Sequence, residues 1–140
     1  MKEEYANTFF HLGFREKFLP NSFAIVTACN PMDEKLSEEV NHLRNERLKN
    51  TLKSKNFLAL PVLGRSLDGL HEEESFCVNC SKEEAVSLAR SYDQRAIFWI
   101  DEDNLEIIDC KLAEIEFLGS FKARICLLYT SDAADEGLGV

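Results

Sequence analysis

The chain has 140 residues, a net charge of -9, 45% hydrophobic and 29% charged residues. That length makes one domain, long enough to bury a core, with a composition ordinary for a globular protein. The acidic balance argues against a sequence-independent grip on nucleic acid, which needs Lys and Arg to neutralise phosphates.

No apolar run approaches the roughly 18 residues that span a bilayer, and no signal-peptide pattern opens the chain. The expected compartment is the cytoplasm, with no membrane partner. Arg44, Arg47, Lys49, Lys53 and Lys55 crowd one predicted helix, yet the acidic total leaves nucleic acid an unexpected partner. Five cysteines, Cys29, Cys77, Cys80, Cys110 and Cys126, read as reduced thiols without a secretory signal. Cys77-Val-Asn-Cys80 has the spacing of half a zinc site or a redox pair. A zinc site wants a second pair or histidines at matching spacing, and none follows, so two small residues at a strand end is the reading. No metal site is predicted and no cofactor is assigned.

Residues 1–22 form an arm packed on the body. Tyr5, Phe9, Phe10, Leu12, Phe14 and Phe18 alternate there with polar residues, and helix and strand periods each fit part of it. Aromatic density argues against disorder. A single α+β domain is expected over 23–125.

That domain opens with Phe23 to Cys29, a continuous apolar run that reads as a buried central strand. Asn30-Pro31 ends it, because proline cannot donate to the ladder. Ser37 is a helix N-cap, with Glu38 and Glu39 at the positive end of the dipole, and the helix runs to about Lys55. Counting about 100° per residue from Leu36, Val40 lies near 40°, Leu48 near 120° and Leu52 near 160°. On the same count Arg44 falls near about 80° and Asn41 near about 140°, inside the core-facing arc. A buried guanidinium is costly unless paired, so a partner is required.

Phe57 to Leu63 is a second strand, and Pro61 within it argues for an edge position or a bulge. Gly64 to Glu74 is read as a long polar connection carrying Arg65, Asp68, Gly69 and His71; connections of this kind tend to be functional or mobile. Ser75 to Asn79 is a third strand. Ser81-Lys-Glu-Glu84 is a capping box, and Ala85, Leu88, Ala89 and Tyr92 follow at helical spacing. Ala96 to Ile100 is a fourth strand, buried on both faces. Asp101 to Asn104 turns into Leu105–Ile108, a fifth strand paired as a hairpin. From there to Phe121 strand and helix both fit. The order is that of a ferredoxin-like βαββαβ two-layer sandwich, a mostly antiparallel sheet with two helices on one face, plus the extra C-terminal hairpin strand.

Residues 126–136 look like the translation of a sequencing adapter, a contaminant of metagenomic assemblies, so 126–140 is set aside as a non-native tail. Without it the chain carries 16 basic and 22 acidic residues, a net charge of -6.

Signatures for dinucleotide binding, nucleotide phosphates, zinc hydrolysis and nucleophilic serine are absent. What remains is a polar constellation: Asn30 at the strand end; Asn41, Arg44 and Asn45 on the first helix; and Asp68, His71, Glu73, Glu74 and Ser75 before the third strand. Arg44 could hold a phosphate or carboxylate through its planar fork, or be neutralised by Glu73 or Glu74. His71 could serve as a general base or simply be solvated, and Glu72, Glu73 and Glu74 are either metal carboxylates or a wet surface. Asn30 is most simply a turn residue bonding its own backbone, and Trp99 a core residue. His11 and His42 carry no signal.

These residues resemble a bacterial family known as domain of unknown function 3293. The resemblance rests on Phe23 to Pro31, Leu36-Ser37 with Asn41 and Arg44-Asn45, Pro61-Val62 with Gly64, Asp68-Gly69, Glu73 to Phe76, Ser81 with Glu84-Ala85, and Gln94 to Trp99, across about residues 5–108. The family pattern often has Tyr where Cys29 stands and Gly where Asp93 stands; the second departure costs the helix its usual C-cap. The resemblance implies a small bacterial protein and supplies no activity.

Two functions are therefore expected. The first is a domain binding an anionic small molecule or nucleotide, with hydrolysis as an option: Arg44 and Asn41 hold the anion, Asn45 and Asn30 position it, Glu73 and Ser75 line the pocket, and His71 or Glu74 handles protons. The alternative is a non-catalytic interaction or regulatory module in which the same groups are internal cross-links. Whether the protein is an enzyme is left open.

Overall fold

The structure, a computed structural model, describes residues 7–127. Tyr5, and all of the predicted non-native tail except Cys126 and Leu127, lie outside the described residues. In chain order the elements are β1 (Phe9–Leu12), β2 (Ser22–Val26), α1 (Glu38–Ser54), β3 (Ala59–Arg65), β4 (Glu72–Val78), α2 (Lys82–Ser91), β5 (Ala96–Asp101), β6 (Asn104–Asp109), β7 (Ile115–Ser120) and β8 (Ile125–Leu127). The strands form one eight-stranded sheet in the order β7-β6-β5-β2-β4-β3-β1-β8. Neighbours pair antiparallel, except that β1 and β8 are parallel. The architecture is α+β: two helices on a mixed sheet strongly curled into a half-barrel.

Alternation along each strand divides the core into two. On β2, Ala24 and Val26 face the helices while Phe23 and Ile25 face the concave side; on β4, Phe76 and Val78 face the helices and Cys77 the hollow. Helix α1 packs on β3 and β4, and α2 on β5 and β2. Leu48 and Leu52 of α1 and Ala85, Leu88 and Ala89 of α2 are buried there, each leucine contributing on the order of 2 kcal/mol of apolar burial. The hollow is filled by Phe10, Leu12, Phe23, Ile100, Leu105 and Phe121. Phe10 meets Phe98 edge to face at 5.0 Å.

The sheet is larger than expected because each undecided segment adds to it. Residues of the arm become β1, whose Phe10 and Leu12 alternate inward, and the stretch after Ile108 becomes β7 and β8. The connection read from Gly64 to Glu74 is mostly strand: Leu63, Gly64 and Arg65 pair with Glu74, Glu73 and Glu72. Only Ser66 to His71 turns, with Asp68 accepting from the Ser66 hydroxyl at 2.6 Å and the Leu70 amide at 2.9 Å, and with Gly69 at φ 76°. Asp-Gly was a hairpin signal. Pro61 sits opposite Phe76 of β4, one residue past Val62, where the pairing with β1 ends. Its missing N–H is harmless on that open side.

Candidate functional site

β2 stops at Val26, three residues short of the expected end at Cys29, because α1 takes over its hydrogen bonds. The Ala28 amide donates to Asn45 Oδ1 at 2.8 Å, and the Cys29 amide to Thr27 Oγ1 at 3.0 Å. The chain then crosses a tight bend. Asn30 is left-handed at φ 46°, as are Met32 at φ 50° and Asp33 at φ 66°. Asparagine tolerates that region; a methionine there is uncommon and held by its surroundings.

Three elements do the holding. From α1, Asn41 accepts the Asn30 amide through Oδ1 at 2.9 Å and donates Nδ2 to Asn30 Oδ1 at 2.9 Å. Arg44 donates Nε to Ala28 O and a terminal nitrogen to Tyr92 O, both at 2.6 Å. From β4, Glu73 accepts Asn30 Nδ2 at 2.8 Å, and Glu74 O accepts Thr27 Oγ1 at 2.7 Å and Asn45 Nδ2 at 2.5 Å. From the α2–β5 connection, Asp93 O accepts the Met32 amide at 2.7 Å, Gln94 Nε2 donates to Cys29 O at 3.0 Å, and Arg95 pairs with Asp33. We call this network the clasp.

The inward arc of α1 differs from the wheel drawn from Leu36. Leu36 precedes the helix, and Val40 and Leu43 are exposed. Asn45, Leu48 and Leu52 are buried, which places the core-facing stripe at about 120° to 180° on that wheel, with Asn45 at one edge and Arg44, near about 80°, on the opposite flank. The partner Arg44 requires is supplied by two carbonyls; the ion pair with Glu73 or Glu74 is not what the fold builds. Glu74 instead meets His42 Nδ1 through Oε1 at 3.2 Å. Asn45 has its oxygen and its amide nitrogen engaged, so its burial leaves nothing unpaired.

Asn30, Asn41, Arg44, Asn45, Glu73 and the Glu74 backbone are thus brought together. Ser75 is buried beside them, its hydroxyl on Glu73 O at 3.3 Å. His71 stays apart. It is exposed in the hairpin turn, its amide on Ser66 Oγ at 3.1 Å, and three strand residues place it about 10 Å from Glu74.

At Cys29, Cys77 and Cys80 burial favours the protonated thiol. Burial pushes Cys29 up to about 11 and Cys80 likewise to about 11, and burial also raises Cys77. Cys77 packs in the hollow and Cys80 against the helix side, so the pair stands on opposite faces and is neither a redox couple nor half a zinc site. Trp99 is core, as read. Among the described residues no cluster of His, Cys, Asp and Glu is arranged to hold a metal ion. No helix among them is long and apolar enough to cross a membrane.

Beside the clasp, between α1 and strands β1, β3 and β4, lies a cleft of about 300 Å³. Asn45, Glu74 and Ser75 reach it, together with residues that sequence reasoning passed over: His11, Glu46 and Lys49. His11 Nδ1 is buried with no hydrogen-bond partner among the described residues. Burial, and then the Arg65 cation, hold its pKa below the ordinary 6.5, against the opposing pull of Glu72. The alternation Phe10-His11-Leu12 was the one available signal, since period two puts His11 opposite the concave core.

A curled α+β sheet whose second strand is clasped to its first helix is the class these features define. The chain belongs to the family described as Protein of unknown function (DUF3293), which matches residues 26–97, just over half of it. The matched span runs from the end of β2 into β5 and holds all of the clasp. No curated protein and no solved structure matches the chain.

Proposed function

We propose that this protein is a non-catalytic interaction or regulatory module whose polar constellation is an internal cross-link. One observation carries the reading: Arg44, the residue best suited to grip an anion, directs its guanidinium at Ala28 O and Tyr92 O. A half-buried cation spent on two carbonyls holds a bend in place and offers little of its fork to a phosphate. Asn41 and Asn45 are likewise spent on Asn30, Ala28 and Glu74. Hydrolysis finds less support, since His71 stands apart from Glu74 and the clasp.

A second reading keeps the small anionic ligand and moves it to the cleft, where Lys49 supplies a cation outside the clasp. Melting curves with inorganic phosphate and with adenosine monophosphate separate the two. The cross-link reading expects no shift from either. A shift with wild type that disappears in Lys49→Ala establishes the ligand site instead.

The proposal extends to the fold. We read β2-α1-β3-β4-α2-β5 as a ferredoxin-like split βαβ unit to which β1, β6, β7 and β8 are added. The spatial order β5-β2-β4-β3 and its antiparallel pairing support this. Residence in the cytoplasm, with neither membrane nor nucleic acid as partner, belongs to the same proposal and is supported by the acidic charge of -9.

A further inference from the structure

We propose that the outer edge of β7 pairs with an extended segment of a partner protein in which apolar residues alternate with Lys or Arg. The inference rests on the interaction-module reading and names its partner.

β7 is the last strand of the sheet, and its outer edge has no strand partner among the described residues. Cross-strand partners share a face. Phe117 lies opposite Glu106, and Ile115 opposite Ile108; Ile108 is in the helix-side core and Glu106 meets Lys82 of α2 at 3.3 Å. Both β7 residues therefore stand on the helix side of the sheet. α2 packs on β5 and β2 and leaves them uncovered: Ile115 is 51% exposed, Phe117 63%, and Leu112 on the preceding turn 64%. Glu116, opposite Ile107, points to the other face and is exposed, as is Glu114.

An edge strand with unpaired amides and carbonyls is a template for another strand. Natural edges are guarded by Lys, Pro or an inward charge; Glu114 to Phe117 contains no Lys or Pro, and the charges it carries, Glu114 and Glu116, are acidic and exposed. At Leu118 a bulge shifts the register with β6, and the Leu118 carbonyl is taken by Arg124 at 3.2 Å, so the open edge is Glu114 to Phe117. What this stretch prefers follows from its two faces. An added strand meets Ile115 and Phe117 with its apolar side chains and Glu114 and Glu116 with its cations. A second copy fits less well, because it sets acids against acids in two chains each carrying -9.

The test uses the full chain and a blocked octapeptide of alternating valine and lysine, with binding followed by fluorescence anisotropy. Phe117→Ser and Glu116→Lys are surface changes, and each should weaken binding about tenfold. Replacing the peptide lysines with glutamates should abolish binding to wild type and restore it in Glu114→Lys/Glu116→Lys. Two N-methylated peptides probe the backbone. In a strand the valine and lysine amides point to opposite edges, so methylating one set is tolerated and methylating the other eliminates binding. Equal effects of the two, binding indifferent to Phe117→Ser, or self-association that Phe117→Ser removes would overturn the assignment. A chain that binds no peptide, yet loses stability with its clasp, removes the β7 surface and leaves the module reading standing.

Discussion

Asn30 and Asn41 close a ring of two hydrogen bonds. The Asn41 side-chain oxygen accepts the Asn30 amide, and its nitrogen donates to the Asn30 side-chain oxygen, each at 2.9 Å. The same Asn30 oxygen accepts the Leu36 amide at 2.9 Å. One left-handed asparagine is thereby joined to the residue that leads into α1 and to the second turn of α1.

Because the two side chains share their bonds, their losses should not add. Asn30→Ala and Asn41→Ala should each lower unfolding free energy by about 1–2 kcal/mol, and the double variant by clearly less than the sum. Urea unfolding of the four proteins measures the coupling. Additive losses would mean that the ring contributes nothing as a unit.

Asp93 follows the end of α2 at φ 57°, where glycine is the usual residue. Its carbonyl, bound to the Met32 amide, is what the clasp uses. Asp93→Gly keeps that carbonyl and removes the Cβ penalty, so it should raise stability by up to about 1 kcal/mol. A calorimetric Tm a few degrees above wild type is the expected reading.

His11 is held neutral in the fold by burial and by Arg65. A lowered folded pKa means that the unfolded chain binds the proton first. Its contribution is complete above the unfolded value of 6.5 and is lost as pH falls from there toward the lowered folded value. The urea midpoint should therefore drop between pH 7 and pH 5. His11→Gln should flatten that slope.

Local chemistry was legible in the chain, and long-range partnership was not. The α2 capping box forms as read, with the Glu84 amide on Ser81 Oγ and the Ser81 amide on Glu84 Oε1. Ser37 caps α1 through the Val40 amide. These signals need only neighbours three residues away. The end of β2 was misplaced because Ala28 bonds Asn45, 17 residues on, and no propensity encodes that choice. Periodicity pointed Asn41 and Arg44 inward and Asn45 was named beside them, but the groups they meet, Ala28 and Tyr92 among them, lie 16 to 48 residues away and no local signal names them. Gln94 and Arg95 enter the clasp from 65 and 62 residues away, beyond any motif. β1, β7 and β8 are peripheral strands whose identity depends on which strand they find.

The claim that the constellation is a cross-link rests most directly on Arg44. A ligand-holding arginine is dispensable to the fold, while one that ties Ala28 to Tyr92 is not. Urea unfolding of Arg44→Ala, without added ligand, should show a loss of about 2–3 kcal/mol at an unchanged m-value. A variant as stable as wild type, or more stable, would contradict the account.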